Sequence, residues 1–571
     1  MLKAFQYLLT FLVVICFFLF IGISVLALFG KEQVKELVMK QINKQLNTEL
    51  LINGSTSVSF FKGFPQIAFT LNDVAIKDRF KIHDNLLEAE QLSFLFNVRD
   101  YFNNEINIAD LELVNAQINI AFDEKGRSNY EIFNTVGKKN YLPSGKVKSA
   151  YGVNLFAENA NIDFTQKGKD FQLDIEGGGV LNAISSDTFI YCKNKPIAVD
   201  LDMLFNNDEN TYTFGRSSFE IDENEFGIEG DIELMKLGYE LNLNFEGKNL
   251  DINRVISLSD NQAHSYFEDW ELDGNADINT TIDGYYGNNQ DLSAITEVTA
   301  DLDIPDLKWQ KIEAQNISSF VCFDDGTLNI DQLLFEMMEG KGDVDAIIDL
   351  EKQSMRSHVR IGGINLKAFL EQYNDFEEYI SPDNLEGTLD LNMLLKSGID
   401  KKFNLDKDAT KGWVDFEIKN AQLVNFTPIV SMLEGKDQER VKTLKFGPIK
   451  NQLIIDKRVI RIPKMDINSN LVNIDFSGKY SMQNSLNFHF KVDIMDYFNK
   501  KFFKKNKEVS ERKRGGGLNY YCSLFGDPNK PVFKGKSKNI IEGEFQKDSR
   551  IEKIDINQYA SERYNFSCAK E

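Results

Sequence analysis

Hydrophobic and polar residues alternate one by one through most of this chain. EINIADLELVNAQINIAFDEKG sets Ile106 and Ile108, then Leu111 and Leu113, then Ile118, Ile120 and Phe122 on single faces of an extended backbone. YELNLNFEG repeats the pattern with Leu241, Leu243 and Phe245, and GNADINTTIDG with Ala276, Ile278 and Ile282. GDVDAIIDL follows with Val344, Ala346, Ile348 and Leu350, and EGTLDLNMLLKSG with Leu389, Leu391, Met393 and Leu395. The positions between are mostly Asp, Asn, Glu, Thr or Lys. Such strands have one apolar and one wet face, which predicts a mainly β fold of antiparallel sheet. No strand–helix–strand rhythm interrupts them, which excludes a parallel nucleotide-binding sheet. Short helical pieces are expected at INLKAFLEQYNDFEEYI and FTPIVSMLEG. The alternating unit recurs without a strict period.

The N-terminus departs from this pattern. From Ala4 to Gly30 no residue is charged, and Lys3 and Lys31 flank the run. It exceeds the ~20 apolar residues that cross a bilayer and the roughly 7–15 of a signal-peptide core. The expectation is an uncleaved transmembrane helix within residues 1–30, with the bulk of the chain outside the cytoplasm; a long signal peptide cut near Ala27 is the alternative. Residues 31–49 then place Val34, Leu37, Val38, Ile42 and Leu46 at helical spacing among Lys, Glu and Gln, an amphipathic helix. At Leu50 the period changes to two, with turn signals at Asn53-Gly54 and Gly63-Phe64-Pro65. Residues 50–410 read as an elongated β-rich body, and 497–571 as a basic-aromatic segment and tail.

Charge and chemistry narrow the function. A net charge of −22 over 571 residues argues against a nucleic-acid partner. The 45 Phe and 19 Tyr against 10 Pro fit pleated, half-buried surfaces. Cys16 lies in the apolar run; Cys192, Cys322, Cys522 and Cys568 form no metal spacing. Cys522 and Cys568 could pair in an oxidising compartment, which spacing alone does not establish. His83, His264, His358 and His489 are too far apart in sequence for a paired-ligand motif, and no nucleophile elbow or phosphate loop occurs. Gly340-Lys341-Gly342 opens an alternating strand, and DLDIPD from Asp301 to Asp306 lacks the glycine and terminal Glu of a calcium loop. The chain reads as no enzyme, with no metal or cofactor. One cluster stands out: Phe498, Lys500, Lys501, Phe502, Phe503, Lys504 and Lys505 make a basic-aromatic segment suited to an anionic membrane surface, or else a solvated linker ending at Gly515-Gly516-Gly517.

From Gly412 to Ile494 the chain reads GWVDFEIKNAQLVNFTPIVSMLEG, then VKTLKFGPIKNQLIIDKRVIRIPKMDINSNLVNIDFSGKYSMQNSLNFHFKVDI. This order resembles the C-terminal region of the AsmA-like family, related to TamB-type bridge-like lipid carriers, and the resemblance sets 411–496 apart as a C-terminal β region. The N-terminal run, the amphipathic helix, VSFFKGFPQIAFTLNDVAI and AFDEKGRSNYEIF agree with it. The resemblance implies an inner-membrane-anchored, periplasmic protein of a Gram-negative-type cell, with a twisted, half-open β-groove holding phospholipid acyl chains in support of outer-membrane biogenesis. An envelope partner protein or the outer membrane is a further expected contact. The alternatives are a scaffold that regulates outer-membrane protein assembly or targeting by binding protein, and an array of closed sandwiches for glycan or adhesion. Groove-lining candidates are Val414, Phe416, Ile418, Ile460, Ile462, Val472, Ile474, Phe476, Leu486, Phe488, Phe490 and Val492. A sheet with one apolar face must cover it with a second layer or with an apolar ligand.

Overall fold

The computed structural model describes residues 36–564, apart from 60–65, 98–107, 122–128, 133–151, 186–189, 260–270, 288–295, 373–381, 426–442, 494–518 and some single or paired positions. The apolar run within residues 1–30 lies outside the described residues, and among those described no helix is long and apolar enough to cross a membrane. The chain divides into two compact units, Met1–Asp269 with Asp277–Val298, and Trp270–Ala276 with Thr299–Glu571.

The first unit is an antiparallel meander. Its strands are β1 (Leu50–Ile52), β2 (Thr56–Ser59), β3 (Gln66–Lys77), β4 (Asn85–Asn97), β5 (Ile108–Ala121), β6 (Gly152–Lys167), β7 (Asp170–Ser185), β8 (Ile190–Tyr191), β9 (Lys195–Asn206), β10 (Thr211–Ile221), β11 (Asn224–Met235) and β12 (Gly238–Asp251). From β3 to β7 each strand pairs with the next, and the series resumes from β9 to β12 after β7 pairs with both β8 and β9. Directly opposed residues share a face. One row therefore reads Phe69, Phe94, Leu111, Ile162, Ile175 and Leu201 across six strands.

The apolar face keeps its side despite slips in the alternation. On β3 it is Ile67, Phe69 and Leu71, then Val74. The odd residue, Asp73, has φ 50° and is exposed. The neighbouring strands slip at the same level: Glu90, Asn115 and Glu158 are exposed, and apolar residues resume at Ala89, Ala116 and Ala157. The result is a transverse crease, with Asn115 Nδ2 donating to Glu90 Oε2 at 2.5 Å. Among the described residues between 36 and 44, all are helical; Val38 and Ile42 are buried against this face, and Leu46 packs beside them. The helical spacing read from sequence thus finds its apolar partner in the sheet. Helix α1 (Ile252–Ser257) starts at Asp251, whose carboxylate accepts from the Arg254 N–H. Leu258, just after it, packs with Leu181, Cys192 and Ile221.

In the second unit the strands that matter here are β13 (Leu272–Gly287) and β14 (Thr296–Trp309), both of which carry the boundary between the units, then β15 (Ile312–Asp324), β16 (Thr327–Met337), β17 (Gly340–Asp349) and β18 (Ser354–Asn365). They are followed by α2 (Leu366–Gln372), β19 (Leu385–Ile399), β20 (Leu405–Val424), β21 (Thr443–Lys445), β22 (Ile449–Asp456), β23 (Val459–Asn468), β24 (Asn473–Ser481), β25 (Ser485–Asp493), β26 (Asn519–Gly526) and β27 (Val532–Gly535). Two helices, α3 (Lys538–Asp548) and α4 (Ile556–Arg563), come after the sheet. From β15 to β27 the strands again pair antiparallel in sequence order, β20 taking both β21 and β22. The fold is mainly β with few helices, as the alternation implies. Strand β20 runs continuously from Leu405 to Val424. Asp301–Asp306 lies inside β14, and Gly340 begins β17. Of the two helical pieces expected from sequence, α2 is present at the first, and the second lies outside the described residues.

Candidate functional site

Every groove-lining candidate except Val472, which is not among the described residues, falls on one face of the second unit. On β20, Val414, Phe416 and Ile418 oppose Met393, Leu391 and Leu389 of β19. Val414 and Ile418 oppose Leu453 and Ile449 of β22 on the other side. The face continues through Ile455↔Ile460, Ile460↔Tyr480 and Tyr480↔Leu486. A parallel row runs Ile462, Gly478, Phe488 and Leu524. Phe476 opposes Phe490, and Ile474 opposes Val492. The rings interlock: Phe476 lies 5.3 Å from Phe488, edge-on, and 5.0 Å from Phe490. All these candidate side chains are half-buried, neither sealed nor free.

The opposite face of the same strands carries the polar residues, and it is the one that is covered. Asp475 is 6% exposed, Ser477 0%, His489 7% and Ser523 3%. Helix α3 lies over them with Ile541 and Phe545 buried beneath it. Ser477 Oγ donates to Asp548 Oδ2 at 2.6 Å, and Lys464 Nζ sits 5.5 Å from the centre of the Phe545 ring. His489 Nδ1 lies 3.1 Å from Ser523 Oγ, and its Nε2 lies 3.9 Å from Glu544. Burial holds the His489 pKa below its ordinary value, against the opposing pull of Glu544 and Asp548. Serine, histidine and carboxylate here make a packed support, since a serine at 3% exposure cannot reach a substrate.

Farther along the same covered face, α4 packs Ile556 and Ala560 on Leu394, with Trp413 and Tyr559 beside them. Gln452 holds the approach to α4 in both directions: its Nε2 donates to the Ile554 carbonyl at 2.8 Å, and its Oε1 accepts from the Ile554 N–H at 2.9 Å. Asn392 Nδ2 donates to Asn557 Oδ1 at 3.1 Å and its Oδ1 faces His358 Nε2 at 2.8 Å. Arg360 reaches His358 Nδ1 at 2.7 Å and Asp345 at 2.7 Å. Burial lowers the His358 pKa, and the Arg360 charge adds to that. Residues 538–564 are therefore a strap across the polar face. Sequence reading gave this stretch no structure. Its available signals were the Ile541/Phe545 spacing of four and Asp555, whose carboxylate caps α4 by accepting from the Gln558 N–H.

The arrangement inverts the usual economy of an antiparallel sheet, which buries its apolar face and leaves the polar one to water. Half-exposed phenylalanines, isoleucines and valines in rows across many strands are a standing demand for an apolar cover. In the first unit the same demand is met in part: Val38 and Ile42 cover β3–β6, while Ile175, Leu201, Met203, Phe214, Ile228 and Phe245 farther along are half-buried.

Two cysteines read from sequence are free buried thiols, Cys192 and Cys522, so Cys522 is not bridged to Cys568; Cys322 is disulfide-bonded. Burial raises the Cys522 pKa. The basic-aromatic segment from Phe498 to Lys505 lies outside the described residues.

Among the described residues, the second unit is a sheet of successive hairpins whose apolar face is half-exposed. Residues 1–180 match the model of the AsmA family, so this N-terminal stretch is similar to that family. The matched stretch takes in the N-terminal apolar run, the helix on the sheet and strands β1 to β6; it does not extend to the Gly412–Ile494 region where the sequence resemblance is densest. Comparison with curated proteins gives no match.

Proposed function

We propose that this is a membrane-anchored, non-enzymatic lipid-handling protein in which acyl chains lie along the open apolar face while head groups remain in water. The observation that carries the reading is the inverted burial of β23–β26: polar side chains sealed under α3, apolar side chains half-exposed. Covering that face with hydrocarbon gains about 25 cal/mol for each Å² removed from water. The AsmA family match supports an envelope role, and the uncharged run from Ala4 to Gly30 supports an inner-membrane anchor with the body in the periplasm. The disulfide at Cys322 suits an oxidising compartment. In this reading the chain supplies phospholipid for outer-membrane biogenesis.

The test is photo-crosslinking from Ile474 and Phe488 in cells. Adducts with phospholipid are expected. Crosslinks that go only to this chain's own strands mean a closed core, and crosslinks to a nascent outer-membrane protein mean a protein-binding scaffold; either result rejects the lipid reading.

A further inference from the structure

The end of the second unit's sheet carries a feature that the groove does not use. Strand β27 pairs with β26 through Cys522↔Gly535, Ser523↔Lys534, Leu524↔Phe533 and Phe525↔Val532, and among the described residues with no other strand. Its apolar side chains are turned to solvent: Phe533 is 59% exposed, Val532 50%, and Tyr520 on β26 46%. Phe533 and Tyr520 stack with ring centres 6.3 Å apart. Leu524 joins Phe533 to Phe488, so the exposed aromatic pair continues the half-buried apolar face to its edge.

The surroundings are cationic. Residues 528–541, PNKPVFKGKSKNII, hold Lys530, Lys534, Lys536 and Lys538 and no carboxylate, in a chain whose net charge is −22. Lys530, Lys534 and Lys538 are exposed. Lys536 sits 5.6 Å from the centre of the Phe525 ring, and Lys538 meets Glu542 at 3.8 Å on the surface.

We propose that this edge, formed by Tyr520, Val532 and Phe533 with Lys530, Lys534, Lys536 and Lys538, is a docking surface for the surface of an anionic phospholipid bilayer. Exposed aromatic and aliphatic tips enter the boundary between head groups and tails, while lysines meet the lipid phosphates. The charge argues for lipid of that sign: an acidic body is repelled by an anionic bilayer everywhere except at such a patch. The continuity of Phe533 with the apolar face argues for a bilayer over a protein, because docking there brings the end of the apolar rows to the hydrocarbon. This deepens the lipid-handling reading and is separable from it.

The test uses the full chain held in neutral phosphatidylcholine nanodiscs and mixed with vesicles of phosphatidylcholine containing phosphatidylglycerol, separated by flotation. The first variant changes Lys530, Lys534, Lys536 and Lys538 together to Gln; the second is Tyr520→Ser with Phe533→Ser. Each lysine near an anionic surface is worth roughly fivefold in binding. Allowing for the pairing of Lys538, the lysine variant is expected to bind about 100-fold more weakly, and wild-type binding is expected to fall with added salt. The aromatic variant is expected to bind more weakly at every salt concentration. Hydrogen exchange across β25 and β26 verifies that both variants stay folded. Equal binding by wild type and the lysine variant, or equal binding to neutral vesicles, overturns the proposal. So does a rise in self-association with vesicle binding unchanged, since lysines also guard exposed sheet edges. If docking fails while lipid crosslinks persist at Ile474 and Phe488, the edge is rejected and the open face stands.

Discussion

A charge placed on the open face should behave unlike a charge placed in a filled core, and Phe488 and Phe69 offer the contrast. Phe69 is fully buried in the first unit, opposed by Val58 and Phe94 and packed in the cluster with Val38. Phe69→Asp loses about 3–5 kcal/mol of packing and cavity energy. A sealed carboxylate adds several kcal/mol more. Together these rival the whole stability of a domain, roughly 5–15 kcal/mol. Phe488 is half-buried, so its own removal costs about 1–2 kcal/mol. Its edge contact with Phe476 adds about 0.5–1.5 kcal/mol. The new carboxylate can hydrate when the face is empty, so the total is about 2–3 kcal/mol and the second unit stays folded. Bound hydrocarbon changes this: a carboxylate against acyl chains costs several kcal/mol, about a hundredfold or more in affinity at that position, and loading should fall sharply. Site-resolved hydrogen exchange reads folding on β3–β4 and β24–β25 separately, and mass spectrometry counts phospholipid per purified chain. The expected outcome is a collapsed first unit for Phe69→Asp, and for Phe488→Asp a folded second unit with depleted lipid. Loss of protection in β24–β25 as complete as that in β3–β4 would refute the reasoning, since it marks Phe488 as core. Undiminished lipid would refute it from the other side.

Two further outcomes are expected. Phe545→Ala should release α3, at roughly 3 kcal/mol, or about 150-fold in local exchange protection of residues 538–548; unchanged protection there rejects the strap as an energetic element. The directly opposed carboxylates Asp110, Asp163, Asp174 and Asp202 form a row across four strands. Burial, then the neighbouring Asp110, raises the Asp163 pKa above 3.8. A folded-state pKa above the unfolded one means that the native state holds the proton more tightly, so this row costs stability at neutral pH and costs less as pH falls through the folded pKa. Asp163→Asn should therefore stabilise the first unit by about 0.5 kcal/mol at neutral pH, and the gain should vanish in acid; urea unfolding at the two pH values checks it, and a gain that persists in acid contradicts the electrostatic cause.

Sequence carried much of this fold because an exposed or half-exposed sheet writes its two faces into alternate residues. Ile474 and Phe476 against Val492, Phe490 and Phe488 could be placed on one face from spacing alone. The crease was harder to see. Asp73 and Asn115 interrupt the alternation by one residue, and a slip of one looks like the end of a strand unless the neighbouring strands slip at the same level, as Glu90 and Glu158 do. The strap was illegible for a different reason. Helices α3 and α4 bury few apolar side chains, and what holds them lies in distant residues: Ser477 for Asp548, Asn392 for Asn557, Gln452 for Ile554. Nor does alternation say which face will be covered. Only the position of residues 538–564 reveals that the covered face is the polar one.

The meander has a consequence for how such a chain comes into being and changes length. From β15 to β27 each hydrogen-bonded neighbour is also the next, or nearly the next, segment of the chain, so a hairpin can close as soon as its two strands have been made, before anything downstream exists. Hairpins could be gained or lost in pairs without reversing which side faces inward, so the ladder can be lengthened like a row of identical planks. The strap is the exception. The contacts of Gln452 with Ile554 and of Asn392 with Asn557 join residues 102 and 165 positions apart. They can form only after the strands from β19 to β26 are in place, which makes the docking of α3 and α4 a signal that this run of sheet has been assembled in register.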